Sequence, residues 1–422
     1  MTKRSFSHLR CGLLGEHLGH SHSPLIHGEL ADYSYSLFEI EKDSLASFMT
    51  SDSLDAFNVT IPYKKAVIPY LDEISEKAAR IGAVNTVVRQ SNGKLVGHNT
   101  DYFGFEYMLS LLGVNVSGKK ALILGRGGAA LTVRTVLTDK GAHDIVMLGS
   151  ADNTPEKIKA HSDAEIIVNA TPVGMYPRNG ASPVDLSLFP NCSAVLDLIF
   201  NPARTALLIQ AEQLGIPSIN GLSMLVAQAA KAFEFFTGDT YDKGAIEHIT
   251  AKIEKATSNI ILVGMPSCGK SSIGKIISNK LGRQFVDADD EFEKMHGITP
   301  AMCIESFGES HFRMRETETL AELGKLCGAV IATGGGAVTR EENYSHLHQN
   351  GDIFFIERNL TSLSDDGRPL SKRTSREEMY AERLPKYLRF ADATVCNDTT
   401  ADNAADKVIA EFEKTHDKRG II

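Results

Sequence analysis

No stretch of the 422-residue chain approaches the roughly 18 consecutive apolar residues that a membrane-spanning helix needs. The start, Met1 to Arg10, carries basic residues, but no apolar core of a secretion signal follows it. The expectation is a cytoplasmic protein with no membrane partner. The six cysteines (Cys11, Cys192, Cys268, Cys303, Cys327, Cys396) form no CxxC pair and no metal-ligand spacing, so neither a disulfide nor zinc is expected and a reducing compartment fits. Internal repeats and low-complexity tracts are missing as well. So is an excess of positive charge: 44 basic residues against 53 acidic ones leave a formal net charge of -9, which repels polyanions and argues against a nucleic-acid partner. Any anionic small molecule would have to be held in a local basic pocket.

What is present is the composition of an ordinary globular protein, 42% apolar and 23% charged. At about 100 to 200 residues per domain, the length predicts two or three separate cores. Strand-like and helix-like patterns alternate throughout, which predicts an α/β architecture. The first segment, 1–105, has apolar runs at 11–14, 35–40 and 57–61 and closes in a hairpin, 83–89 against 94–98, turned by Ser91-Asn92-Gly93. The second, 106–220, opens with Ala121-Leu122-Ile123-Leu124 and glycines, then has runs at 145–148, 166–169 and 194–199. The spacers are long enough for the crossover helices that a parallel sheet requires. A helical stretch at about 221–240, a polar helix-like connection with few anchors at 241–258, and a third segment, 259–422, complete the chain.

Gly125-Arg126-Gly127-Gly128-Ala129-Ala130 fits the GxGxxG/A turn after a strand and before a helix, where glycines let backbone approach a pyrophosphate. Alone, such a turn reads equally well as a tight strand-helix junction. In the first segment, Ser21-His22-Ser23-Pro24, Asn58-Val59-Thr60-Ile61-Pro62-Tyr63-Lys64, Gly82-Ala83-Val84-Asn85-Thr86 and His98-Asn99-Thr100-Asp101 repeat small hydroxyls and amides around one lysine and one aspartate. Such side chains suit a substrate with several hydroxyls, because each buried polar group needs a partner. Singly, Ser21 and Ser23 read as caps of the helix that Pro24 starts, Lys64 as a surface charge, and Asp101 as a cap or turn residue.

Together and in this order, these motifs closely resemble shikimate dehydrogenase over about 12–238. The resemblance implies a two-domain unit: an α/β substrate domain (1–105, completed by the helix at about 221–240) and a Rossmann domain (106–220) that binds NADP. It implies that Ser21, Ser23, Thr60, Asn85, Asp101 and Gln228 hold the carboxylate and hydroxyls of 3-dehydroshikimate or shikimate, and that Lys64 and Asp101 are the catalytic pair. Gly125, Gly127, Gly128 and Ala130 would face the cofactor, as would Thr171 and Met175 of Asn169-Ala170-Thr171-Pro172-Val173-Gly174-Met175. Hydride arriving at a carbonyl carbon leaves alkoxide character on oxygen, which an ammonium stabilises and then protonates. Two departures stand out. Leu148-Gly149-Ser150 replaces the family's Asn-Arg-Thr after the second Rossmann strand. Arg126 or Lys157 could supply the missing cation, whereas Asp152 could favour NAD instead. Phe200 stands where many relatives have tyrosine, which could open the pocket to an acid such as quinate.

Gly264-Met265-Pro266-Ser267-Cys268-Gly269-Lys270-Ser271 matches GxxxxGK[ST] between a short apolar strand and a helix. Backbone N–H groups there face phosphates, Lys270 adds a point charge, and Ser271 can ligate Mg2+. Asp287-Ala288-Asp289, Arg313 in Gly308-Glu309-Ser310-His311-Phe312-Arg313, Gly334-Gly335-Gly336, Arg368-Pro369-Leu370 and Arg383-Leu384-Pro385-Lys386-Tyr387 follow. In this order they closely resemble shikimate kinase over about 259–413, a P-loop α/β/α domain. The resemblance implies ATP held by Gly264, Gly269, Lys270, Ser271, Ser272 and Arg368, the last within a polar stretch (362–376) composed like a mobile lid. It places Asp289 on the acceptor hydroxyl, Arg313 and Arg383 on the shikimate carboxylate, Gly334, Gly335 and Gly336 against the ring, and Asp287 with Ser271 near Mg2+. A planar guanidinium suits a carboxylate because two parallel hydrogen bonds fix orientation as well as charge.

Both halves imply one intermediate on the aromatic amino acid route, made by the first and consumed by the second. Two alternatives are an NAD-linked quinate or shikimate dehydrogenase fused to the kinase, and an active kinase with a non-catalytic, ligand-sensing first half. Lys64 and Asp101 argue against the latter. A different P-loop small-molecule kinase is disfavoured by Asp289, Arg313 and Arg383 together. The oligomeric state is not legible.

Overall fold

The computed structural model describes residues 4–19, 21–152, 154–362 and 375–419. Three sheets follow one another along the chain. Strands β1 (Ser5–Gly15), β2 (Asp32–Glu39), β3 (Ala56–Val59), β4 (Glu73–Ile74), β5 (Thr86–Arg89) and β6 (Leu95–His98) lie in the order β2-β1-β3-β5-β6-β4. β1 pairs parallel with β2 and β3, while β5 pairs antiparallel with β3 and β6. The expected hairpin is therefore present.

The second sheet contains β7 (Lys120–Leu124), β8 (Asp144–Leu148), β9 (Ile166–Asn169), β10 (Ala194–Asp197) and β11 (Ser218–Ile219), in the order β11-β10-β9-β7-β8 and wholly parallel. The third contains β12 (Asn259–Val263), β13 (Phe285–Asp287), β14 (Val330–Ala332), β15 (Gly351–Glu357) and β16 (Ala393–Cys396), in the order β13-β14-β12-β15-β16, again parallel. β9 and β12 are buried along their whole length, as expected of parallel strands covered on both faces. β8 and β9 leave β7 on opposite sides, and β14 and β15 do the same at β12. In open parallel sheets ligands bind beyond the strand ends at such a reversal. Both glycine-rich turns, after β7 and after β12, stand there.

The chain divides into two compact units: Met1–Pro172 with Pro183–Phe200 and Gln210–Thr250, and Val173–Ser182 with Asn201–Ile209 and Ala251–Ile422. Two short stretches of the dinucleotide segment thus group with the second unit. Within it, Nδ2 of Asn179 donates to Oε1 of Gln349 at 2.7 Å, and the Ala203 N–H donates to Oδ1 of Asn350 at 2.8 Å. The helix-like connection expected to have few anchors contains the helix Ala245–Thr257, whose Ile246, Ile249 and Ile253 are buried at helical spacing. Among the described residues, no helix is long and apolar enough to cross a membrane.

One packing detail positions the first site. Helix Asp101–Leu112 crosses helix Leu222–Thr237 so closely that a Cβ on Gly104 would lie 2.6 Å from the Met224 carbonyl and 3.1 Å from Cβ of Gln228. Tyr102, Phe105, Met108 and Leu109 belong to the same core cluster as Met224 and the β7 and β9 side chains. Gln228 is thereby held beside the start of the helix that Asp101 opens.

Candidate active sites

Lys64, just beyond β3, reaches Asp101 with Nζ 2.6 Å from Oδ2. Nδ2 of Asn85 donates to the other carboxylate oxygen at 2.9 Å and approaches Oε1 of Gln228 at 3.3 Å. The Lys64 and Asp101 side chains are only 21% and 9% exposed, which excludes a solvated surface lysine and an ordinary turn aspartate. Thr100 and Thr86, quoted in the motifs but assigned no role, complete the cluster. The Thr100 N–H donates to Oδ1 of Asn85 at 2.7 Å, and the two threonine hydroxyls lie 3.1 Å apart. Asn85 is therefore fixed at both ends of its amide, and through it the Asp101 carboxylate.

Ser23 joins the network from another side. It hydrogen-bonds Tyr35, whose hydroxyl donates to Oδ1 of Asn58 at 2.8 Å, and Nδ2 of Asn58 reaches the Thr86 hydroxyl at 3.1 Å. Ser21 accepts from the Ser23 N–H at 3.2 Å. His22 is the N-cap of the helix Ser23–Leu30 and makes no side-chain cap bond, so Ser21 meets the helix's first N–H from one residue further out. Thr60 is half-buried at the end of β3. The Phe200 ring meets the His22 ring edge-on at 5.6 Å, and burial holds the His22 pKa below its ordinary value.

Gly125 turns the chain after β7 with φ 120°, a region that favours glycine, and a Cβ there would sit 2.8 Å from the Ala170 carbonyl. Gly127 is the N-cap of helix Gly128–Asp139, so unpaired first-turn N–H groups open at the end of the sheet, as a pyrophosphate requires. Ala130 is fully buried behind the turn. The Thr171 hydroxyl and N–H donate to Oδ1 of Asn169 at 2.7 and 3.0 Å, and Asn169 is braced by buried Asp197 at 3.0 Å. Met175 is 45% exposed and belongs to the second unit.

In the second unit, Nζ of Lys270 is buried against the Gly264 and Met265 carbonyls, both at 2.9 Å, at the opening of helix Lys270–Leu281. Gly269 has φ 102°, and Ser267 holds φ 64°, the one such non-glycine residue among those described. The Ser271 hydroxyl donates to Oδ2 of Asp287 at 2.6 Å, and Oδ1 of Asp287 caps helix Ala288–His296 through the Asp289 N–H. Gly334, Gly335 and Gly336 press against this pocket. Cβ atoms there would meet Oε1 of Glu316 at 2.8 Å, Pro266 at 2.6 Å and the Arg313 guanidinium at 2.1 Å. Asp289 lies alongside, its Oδ1 3.5 Å from where a Cβ on Gly334 would stand.

Arg383 donates to the Gly335 carbonyl at 3.1 Å, while its Nε is buried without a partner, an orphan donor that an anionic ligand would satisfy. Glu316 was not anticipated. It binds Arg313 at 2.7 Å, and burial pushes its carboxyl above the ordinary range while Arg313 pulls it back. Asn397 was also missed: its Nδ2 donates to the Cys268 carbonyl at 2.8 Å and braces the phosphate loop. Arg368 and most of the expected lid lie outside the described residues.

These sites define the class: a dinucleotide-dependent dehydrogenase joined in one chain to a P-loop kinase for a small acid. Family models match accordingly: shikimate dehydrogenase substrate binding domain over 13–87, shikimate 5'-dehydrogenase C-terminal domain over 221–248, and shikimate kinase over 266–413. The shikimate dehydrogenase (NADP(+)) of Caldanaerobacter subterraneus subsp. tengcongensis is 37% identical over 260 residues, which cover 55% of this chain and 92% of that one. Among solved structures, a chorismate mutase/shikimate 5-dehydrogenase fusion protein from Clostridium acetobutylicum is 37% identical with a TM-score of 0.54, covering 58% of this chain and 97% of its own. A shikimate 5-dehydrogenase from Thermus thermophilus, in complex with NADP(H) and shikimate, is 32% identical with a TM-score of 0.53, covering 58% and 99%. The chain belongs to the shikimate dehydrogenase family and carries a shikimate kinase domain C-terminal to it.

Proposed function

We propose that this chain reduces 3-dehydroshikimate to shikimate with NADPH at Lys64 and Asp101, and phosphorylates shikimate with ATP and Mg2+ beside the phosphate loop. The observation that carries the reading is the Lys64–Asp101 pair at 2.6 Å within a cluster of amides and hydroxyls. It shares its chain with a P-loop pocket lined by two buried arginines.

In the first reaction NADPH supplies the hydride. Lys64 stabilises the negative charge that grows on the carbonyl oxygen and donates the proton that completes the hydroxyl; in reverse, neutral Lys64 accepts it. Asp101 positions the ammonium, and Asn85 positions Asp101. Ser21, Ser23, Thr60, Asn85 and Gln228 pair with the carboxylate and remaining hydroxyls. Gly125, Gly127, Gly128, Ala130 and Thr171 line the cofactor site.

In the second reaction Gly264, Gly269, Lys270, Ser271 and Ser272 hold the triphosphate. Ser271 and Asp287 would hold Mg2+, which neutralises phosphate charge when bound. Asp289 accepts the proton of the attacking hydroxyl, and Arg313 with Arg383 fixes the substrate carboxylate. All six cysteines are free thiols, which suits the cytoplasm.

The test assays both reactions in Lys64→Ala and Lys270→Ala. Lys64→Ala should lose dehydrogenase turnover by about 100- to 10,000-fold and keep the kinase. Lys270→Ala should do the reverse. Full dehydrogenase activity in Lys64→Ala would overturn the reading.

A further inference from the structure

The end of the second strand in a dinucleotide domain is where the ribose 2' position is read, by an acid that accepts from a hydroxyl or by an arginine that holds a phosphate. Here β8 ends in Leu148-Gly149-Ser150, which offers no cation. Arg126 reaches that spot from the glycine turn after β7. Its side chain passes over Gly149, where a Cβ would stand 3.1 Å from Cδ and 3.6 Å from Nε, so glycine leaves room for it. One guanidinium nitrogen lies 3.4 Å from the Met147 carbonyl and 2.8 Å from Oδ2 of Asp152.

Lys157 closes on Oδ1 of the same aspartate at 2.5 Å. The Arg126 and Lys157 side chains are 61% and 53% exposed, whereas Asp152 is only 20% exposed between them. Each oxygen of Asp152, the acid placed to accept from a ribose hydroxyl, thus already faces a cation. The trio carries a net positive charge and presents its cationic ends to solvent.

We infer that Arg126 and Lys157 form the 2'-phosphate site of this chain, in place of an arginine following β8, with Asp152 holding both cations in position rather than reading the ribose. The inference rests on the dehydrogenase reading above and names the residues that select its cofactor. A guanidinium suits this task because it offers a phosphate two parallel hydrogen bonds.

The test is a fluorescence titration of the full chain with NADPH and with NADH, without substrate, for the wild type, Arg126→Ala, Arg126→Lys and Asp152→Ala. The wild type should bind NADPH more tightly. Arg126→Ala should lower the NADPH-to-NADH affinity ratio about 10- to 100-fold, the loss of a charge-assisted phosphate contact, and Arg126→Lys should recover part of it. Asp152→Ala should not weaken NADH. Tighter NADH binding in the wild type, an unchanged ratio in Arg126→Ala, or loss of NADH affinity in Asp152→Ala would each overturn the inference. Thermal unfolding of each variant by circular dichroism guards against misfolding. NADPH preference that tracks Arg126 in a chain that never oxidises shikimate would sustain this site and reject the proposed reaction.

Discussion

A single methyl group at Gly336 should separate the two activities. Gly336 has φ -105° and ψ 5°, accessible to alanine, so Gly336→Ala adds no left-handed strain. Its Cβ, however, would lie 2.1 and 2.2 Å from the terminal nitrogens of Arg313, where ordinary contact begins at 3.4 Å. The guanidinium must retreat by more than an ångström, and it is the end of a flexible side chain paired with Glu316 at 2.7 Å and Glu309 at 3.1 Å. The fold should survive, but a retreat of that size exceeds what a hydrogen bond tolerates. Losing a charge-assisted bond to the shikimate carboxylate costs about 1.5 to 3 kcal/mol, or roughly 10- to 150-fold in the kinase KM for shikimate. The assay is ADP release against shikimate concentration. The KM for ATP and shikimate oxidation by the first unit should stay within about twofold, since neither reaction uses Arg313. A shikimate KM within twofold of wild type would refute the placement of the carboxylate on Arg313.

Two further outcomes follow from the first unit. Gln228→Ala should raise the dehydrogenase KM for shikimate about 2- to 10-fold, the worth of one neutral hydrogen bond, without changing kinase turnover; steady-state kinetics check it. His27 is fully buried with Nδ1 2.6 Å from the Tyr33 hydroxyl, and burial pushes its pKa down to about 3. An unfolded histidine titrates near 6.5, so between those values the unfolded state binds the extra proton. The contribution to stability is complete above about pH 6.5 and falls as the pH drops, by about 2 kcal/mol at pH 5. Urea unfolding from pH 8 to pH 5 should show that loss in the wild type and a flatter profile in His27→Gln; equal slopes would contradict it.

The three parallel and mixed sheets were legible because buried strands read as short apolar runs between glycine-rich turns. The phosphate loop was legible because its chemistry is local in sequence. The polar cluster around Asp101 was half legible. Its members recur in short motifs, but the contact of Gln228 with Asn85 and Thr100 depends on the close helix crossing at Gly104, which leaves no local pattern. Glu316 reads as one more surface glutamate of a charged helix until the fold buries it against Arg313. Asn397 meets Cys268 across 129 positions, and no periodicity announces such a contact. Asp152 looked available to a ribose hydroxyl; only the geometry shows each of its oxygens paired with a cation, Arg126 or Lys157.

The most direct measurement follows the purified full chain mixed with 3-dehydroshikimate, NADPH, ATP and Mg2+, reading NADPH absorbance and phosphorus NMR together. NADPH should be consumed with or without ATP, yielding shikimate alone when ATP is withheld. With ATP, phosphorylated shikimate should form in step with NADPH consumed. NADPH left untouched, or shikimate that accumulates unphosphorylated in the presence of ATP and Mg2+, would contradict a single chain that makes and then phosphorylates shikimate.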